Sequence, residues 1–153
     1  MIYVECKPDF ALVKLVTKIP GREIVHEKNK PEVCKRLERQ RNCKGLVDED
    51  PLSTPPPYMK KVKTENDLFQ YELKVLYDGA RNNRLVILCP KLEDWILRAA
   101  KEAKLNMEKY SPPDTPEKLH QEINLDLSKF EKLLTHLKNS ERLKTLKKLL
   151  ESS

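Results

Sequence analysis

The first fifty residues alternate between short apolar runs and amphipathic stretches, and this alternation restricts the fold more than any other feature of the chain. Residues 2–5, IYVE, are too few for a helix and rich in β-formers, which reads as a strand buried on both faces. In residues 7–19, Pro8 and Asp9 suit the first turn of a helix, where a missing N–H and a negative charge are tolerated. Phe10, Val13, Leu15, Val16 and Ile19 continue at helical spacing until Pro20-Gly21. A second strand is expected over 22–27, a second helix over 30–41 with Pro31 near its start and Asn42 as a stop, and a third strand over 44–50. Strand, helix, strand, helix, strand with short connections is the order of a parallel sheet covered by helices. The expected class is therefore α/β, Rossmann-like, with a mainly parallel sheet. Right-handed crossovers bring the carboxyl ends of such strands to one edge, where ligands bind.

The third strand ends in an expensive way. Gly45-Leu46-Val47 runs directly into Asp48, Glu49 and Asp50, followed by Pro51. Adjacent like charges repel, so the cluster costs stability unless something cationic meets it. A lysine or arginine, a helix N-terminus and a divalent metal are the candidates. Glu5 ends the first strand, so it faces the same edge as Asp48 and Asp50 and converges with them if the two strands are neighbours. Carboxylate oxygens suit Mg²⁺ or Mn²⁺, hard ions that keep much of their water shell.

Beyond residue 50 the pattern loosens. Residues 51–67 read as a loop, stiffened into an extended form by Pro55, Pro56 and Pro57. Residues 68–78 are strand-like in their second half, and 84–90 form another buried strand after the turn GARNN, as a hairpin or a parallel neighbour. Residues 90–106 are expected to be helical, with Leu92, Trp95, Ile96, Ala99 and Ala103 on the buried face and Glu93-Asp94 in the acidic first turn. A linker over 108–118 separates this α/β domain, residues 1–107, from a tail of two helices. The first is expected to begin at Ser128 with a Ser-x-x-Glu capping box to Glu131, the second at Ser140. Leu143, Leu146, Leu149 and Leu150 give the second helix a narrow apolar stripe, which suits a helical hairpin packed on the domain, a second copy or another protein.

Charge and cysteine content bound the function classes. Thirty basic against 24 acidic side chains give a net charge of +6, compatible with nucleic acid as a partner and equally with a lysine-rich solvated surface. Cys6, Cys34, Cys43 and Cys89 form no CxxC pair and have no zinc-like histidine spacing, so they read as free thiols. With no apolar run near the ~20 residues of a membrane span and no signal-like N-terminus, a cytoplasmic protein without a membrane partner is expected. His26, His120 and His136 are far apart in sequence, and the tyrosines form no stacking platform; Tyr58 is the one candidate base contact.

VECKPD followed by GLVDED resembles the Toprim domain, shared by topoisomerases, bacterial-type primases, ribosomal RNA maturases and the overcoming-lysogenization-defect nucleases. That family carries a glutamate after its first strand, commonly in Glu-Gly-x-x-Asp, and an Asp-x-Asp after its third. Glu5 and Asp9 match the first motif, and Asp48 and Asp50 the second. The resemblance covers about the first 100 residues. It implies a metal site of Glu5, Asp48 and Asp50, with Asp9 as a motif residue and Glu93, in PKLEDWIL, as a further candidate ligand. For Glu93, an ordinary charge in a helix's first turn explains the residue equally well. The family's glycine is replaced here by Cys6, which puts in question either the backbone geometry or the activity of the site.

The resemblance implies Mg²⁺- or Mn²⁺-dependent phosphodiester chemistry on DNA or RNA by a small nuclease or nuclease component. Glu5 would be the general base, Lys7 would hold the scissile phosphate, and Lys60, Lys61 and Lys63 would follow the backbone; each lysine is also explained as surface charge. The competing reading is a Toprim-like binding or interaction module with a weakened site, favoured by Cys6 and the leucine stripe. A receiver-type signalling domain also uses strand-end acids, but it has an acid pair after strand one, which this chain lacks.

Overall fold

The computed structural model describes residues 1–104 and 115–152. It is an α/β protein built on one six-stranded sheet. The strands are β1 (Ile2–Val4), β2 (Ile24–His26), β3 (Lys44–Asp48), β4 (Lys63–Leu68), β5 (Leu73–Asp78) and β6 (Asn83–Leu88). The helices are α1 (Lys7–Val16), α2 (Lys30–Arg39), α3 (Pro57–Lys61), α4 (Leu92–Glu102), α5 (Pro116–Leu125), α6 (Leu127–Leu137) and α7 (Glu141–Glu151). The expected ends of α4 at 105–106 and most of the linker over 108–118 lie outside the described residues.

The sheet order is β2-β1-β3-β6-β5-β4. β2, β1, β3 and β6 pair in parallel, while β5 returns antiparallel to β6 and β4 antiparallel to β5. The turn after β5 therefore makes a hairpin. Of the strand-linking helices in the first fifty residues, α1 leads away from β1 to β2, and α2 leads back past β1 to β3. The chain leaves β1 toward one side of the sheet and leaves β3 toward the other. The crevice between their carboxyl ends is thus the switch point at which open α/β sheets bind ligands.

Alternating side chains divide the core into two layers, as the pleat requires. Ile2, Val4, Leu46, Val86 and Leu88 face α1, α4 and the C-terminal helices. Tyr3, Val47, Leu85 and Ile87 face α2, with Val33 and Leu37, and Tyr58 of α3. Burial on both faces explains why β1 and β3 read as continuous apolar runs. The C-terminal helices are part of the first layer: Leu119, Ile123, Phe130, Leu133, Leu134, Leu137, Leu143, Leu146 and Leu150 are buried with Leu12, Val16, Trp95 and Ile96. Arg142 of α7, 3% exposed, fastens this unit. Its guanidinium takes both oxygens of Glu102 (3.0 and 2.8 Å), donates to Glu72 (3.1 Å) and lies 5.6 Å from the Trp95 ring centre.

Three expectations are corrected. The segment 51–67 is not a single extended loop: Pro57 opens the short helix α3, and residues 63–68 form β4. Proline suits a helix's first position, and burial of Tyr58 fixes the turn. β4 is polar and exposed because it is an edge strand with one paired side, so no alternation marks it. The second correction is α5, a helix where no element was expected; Thr115 caps it by accepting from the Lys118 N–H. The third concerns α6, which is capped by Asp126, not by a Ser128–Glu131 box: Asp126 Oδ1 accepts from the Ser128 N–H at 3.0 Å and the Ser128 hydroxyl at 2.6 Å. Ser140 does cap α7, accepting from the Leu143 N–H.

Gly45 on β3 sits where α2 crosses the sheet. A methyl group there would lie 2.9 Å from Leu85 Cδ1, 3.0 Å from Val33 Cγ1 and 3.1 Å from Leu37 Cδ1. Gly45→Ala is expected to destabilise the fold by about 1–3 kcal/mol through overpacking, read as a lowered midpoint in urea unfolding at unchanged slope. An unchanged midpoint would mean that α2 is free to back away from the sheet.

Candidate metal centre

β1 and β3 are parallel neighbours, with Val4 paired to Leu46. Their tips therefore bring Glu5 beside Asp48, and Glu5 Oε1 accepts the Asp48 backbone N–H at 2.7 Å. α1 starts immediately after Glu5, and its first turn delivers Asp9 to the same point. One oxygen from each of Glu5, Asp9 and Asp48 lies within 4.8 Å of the others. Asp48 Oδ1 also accepts the N–H of Leu92, the first residue of α4, at 3.1 Å. Asp9 is fully buried. Its Oδ2 accepts from the Cys6 thiol at 3.1 Å, while its Oδ1 has no hydrogen-bond partner among the described residues.

The three acids at the tip of β3 have separate fates. Asp48 joins Glu5 and the buried Asp9. Glu49 turns to Lys74, with Oε2 3.5 Å from Nζ. Asp50 adopts a left-handed φ of 44°, which aspartate tolerates, and its carboxylate lies 3.9 Å from the Lys91 ammonium. Asp50 thus lines the cleft but is outside the trio, and Asp9, expected as a motif residue, stands inside it.

A cleft of about 710 Å³ opens over this cluster. Its walls include Glu5, Asp48, Asp50 and Glu93, the lysines Lys28, Lys30 and Lys91, and Pro116, His120 and Asn124 of α5. His120 Nδ1 and Glu93 Oε1 are 2.9 Å apart, so the C-terminal unit touches the site directly. Lys30 and α5 are the parts that sequence reasoning missed. Thr115-Pro116-Glu117 followed by Leu119 and Ile123 was a legible helix start. Lys30 carried no signal among the chain's many lysines.

Other expected site residues lie elsewhere. Lys7 is exposed on α1 and lines a different groove with Phe10, Lys14 and His26. Lys60 and Lys61 end α3, and Lys63 begins β4. Through the ladder, Lys63 is level with Tyr77, Arg84 and Lys44, whereas Leu68 is level with Leu73, Leu88 and Asp48. The lysine cluster is therefore at the opposite edge of the sheet, about 13 Å along the strands from the acids. Tyr58 is not a base contact: it is buried, and its hydroxyl donates to Asp78 at 3.0 Å.

Burial, with repulsion from neighbouring acids, raises all three carboxyl pKa values. Asp48 is pushed up to about 7, first by burial and then by Glu5 and Glu93. Asp9 is raised well above the usual range by burial, Asp48 and Glu5. Burial also raises Glu5, opposed by its hydrogen bond from Asp48 and by Lys30. The Cys6 thiol is raised too, by burial and by Asp9, so it is a donor to Asp9 and not a thiolate. Cys6 itself is in extended backbone (φ −155°, ψ 167°), so no glycine is needed at this position.

No protein-family model matches the chain, and no curated protein and no solved structure matches it.

The raised carboxyl pKa values set a pH dependence. A carboxyl whose folded pKa is raised holds its proton in the folded state while the unfolded chain has released it, so stability falls as pH rises. With Asp48 near 7, the metal-free protein is expected to be most stable below about pH 4 as far as these groups are concerned, and to lose that contribution up to and beyond pH 7. Thermal melting in chelator between pH 5 and 8 should show a smaller loss for Asp48→Asn than for wild type. Parallel profiles would show that Asp48 ionises freely in the fold.

Proposed function

We propose that this chain is a divalent-cation-dependent enzyme acting on the phosphodiesters of nucleic acid, a small Toprim-type nuclease or nuclease component. The observation that carries the reading is the trio Glu5, Asp9 and Asp48, with oxygens within 4.8 Å and one buried oxygen, Asp9 Oδ1, without a hydrogen-bond partner among the described residues. Burying like charges together without a counter-charge is costly, and an oxygen-only donor set at a cleft floor fits Mg²⁺ or Mn²⁺. The protonated Cys6 thiol offers no soft ligand.

The resemblance of VECKPD and GLVDED to the Toprim motifs supports the same reading, because Glu5, Asp9 and Asp48 meet at the tips of adjacent parallel strands. Asp48 and Glu5 would hold the cation, with Asp9 beneath them and Glu93 at the rim. When bound, such a cation lowers the pKa of water and offsets charge on a phosphoryl group. Glu5 lines the cleft and uses one oxygen on the Asp48 N–H, so its second oxygen can accept a proton from an attacking water. The cleft lysines supply positive charge for a phosphate backbone beside the carboxylates.

A second reading, a Toprim-like module that binds without cleaving, is favoured by one feature. Asp48, Glu5 and Asp9 each already accept a hydrogen bond within the protein, from Leu92, Asp48 and Cys6, which suits a trio kept for folding.

Calorimetric titration of Mg²⁺ and Mn²⁺ into wild type and Asp48→Ala, with cleavage assays on single-stranded and duplex DNA and RNA, separates the readings. Binding and cleavage are expected in wild type, with cleavage reduced at least 100-fold in Asp48→Ala. Metal binding without cleavage would favour the binding module. Absence of metal binding by the wild type would refute the metal centre.

A further inference from the structure

Lys30 is the one lysine buried among the described residues, at 8% exposure, although lysine is almost never buried without a reason. It is the first residue of α2, whose cap Asn29 accepts from the Glu32 N–H, and both Asn29 and Lys30 line the acidic cleft. The ammonium donates to the carbonyl of Glu49 at 2.9 Å. That bond fixes its position one residue beyond Asp48 and uses one of three donors. The other basic side chains of the cleft are committed or loose. Lys91 sits near Asp50, His120 lies against Glu93, and Lys28 is exposed.

The ammonium opposes the rise in pKa of both Glu5 and Asp48, so it lies within electrostatic reach of both carboxylates. Were Lys30 only their counter-ion, the expected geometry would be a direct ion pair. Its hydrogen bond goes instead to a backbone carbonyl, which holds it at the cleft wall it lines.

We propose that Lys30 is the substrate-positioning residue of this cleft, donating to a non-bridging oxygen of a phosphodiester whose neighbouring oxygen faces the carboxylate trio. This rests on the metal-centre reading above. A preorganised ammonium in a partly dehydrated site binds a phosphate oxygen more strongly than a solvated lysine does. No bond is made or broken by Lys30; it orients the phosphate and offsets its charge.

The test uses the full chain and two probes, Mg²⁺ alone and then a thymidine dinucleotide with a single linkage. The linkage is either a phosphodiester or an uncharged methylphosphonate. Wild type with Mg²⁺ is expected to bind the phosphodiester at least tenfold more tightly than the methylphosphonate. In Lys30→Met that preference should shrink at least fivefold while Mg²⁺ binding persists; Lys28→Met should keep the wild-type preference. Lys30→Gln, which can still donate to the Glu49 carbonyl, is the variant to read if Lys30→Met fails to melt cooperatively. Retention of the full preference in folded Lys30 variants, or its absence from Mg²⁺-bound wild type, overturns the Lys30 assignment alone. Failure of wild type to bind Mg²⁺ overturns the metal centre and this proposal with it.

Discussion

The hydrogen bond from the Asp48 backbone N–H to Glu5 Oε1 joins the tips of two parallel strands, and the rest of the site is arranged around it. It draws one carboxylate to the base of another at the point where the chain's crossovers diverge. Electrostatics alone would push these acids apart. What holds them is geometry imposed by burial: Val4 and Leu46 are level in the sheet and fully buried, so the residues that follow have little freedom. Three helices, α1, α2 and α4, begin at this edge, and their N-terminal N–H groups partly offset the negative charge. Leu92 N–H on Asp48 is the direct instance. The helix ends do not satisfy every atom, and Asp9 Oδ1 remains unpartnered among the described residues.

The C-terminal helices turn this strand-edge cluster into a cleft. α6 and α7 pack through leucines against α1, and α5 completes one wall over the acids. Arg142, itself buried, anchors the unit through Glu72, Glu102 and Trp95. A buried arginine with satisfied donors contributes less to stability than apolar packing would, but loss of one partner leaves an uncompensated charge. The network therefore fixes where the helical unit sits, and with it the position of His120 against Glu93. The leucine stripe of α7 is accounted for within the chain: Leu143, Leu146 and Leu150 are buried against its own core.

The strands and helices of the first fifty residues were legible because both of their periodicities are driven by burial. Each β1 and β3 residue faces one of two covered layers, and each of α1 and α2 has one apolar face. β4 was not legible, since KTENDL has no buried face and owes its strand conformation to pairing with β5. In the site, Glu5 and Asp48 were legible because strand-end acids define a place in an α/β sheet, whereas Asp9, in the first turn of α1, was marked only by the resemblance. Their relative weights were not. Asp50 is withdrawn by its left-handed turn and Lys91, while a first-turn helix position carries Asp9 inward. Lys60, Lys61 and Lys63 look close to the acids in sequence, yet β4 runs parallel to β3, with its first residue at the far edge. Lys30 shows the opposite case, since only the fold distinguishes a buried lysine from the solvated ones around it.

The central claim is that Glu5, Asp9 and Asp48 are brought together to hold a divalent cation. The most direct measurement is crystallographic: crystals grown metal-free, soaked in Mn²⁺ and measured at the manganese absorption edge. The account predicts an anomalous peak within coordination distance of Glu5 and Asp48 carboxylate oxygens. No peak there, with Asp9 and Asp48 carboxyl groups hydrogen-bonded to protein or water in the soaked crystal, would contradict it.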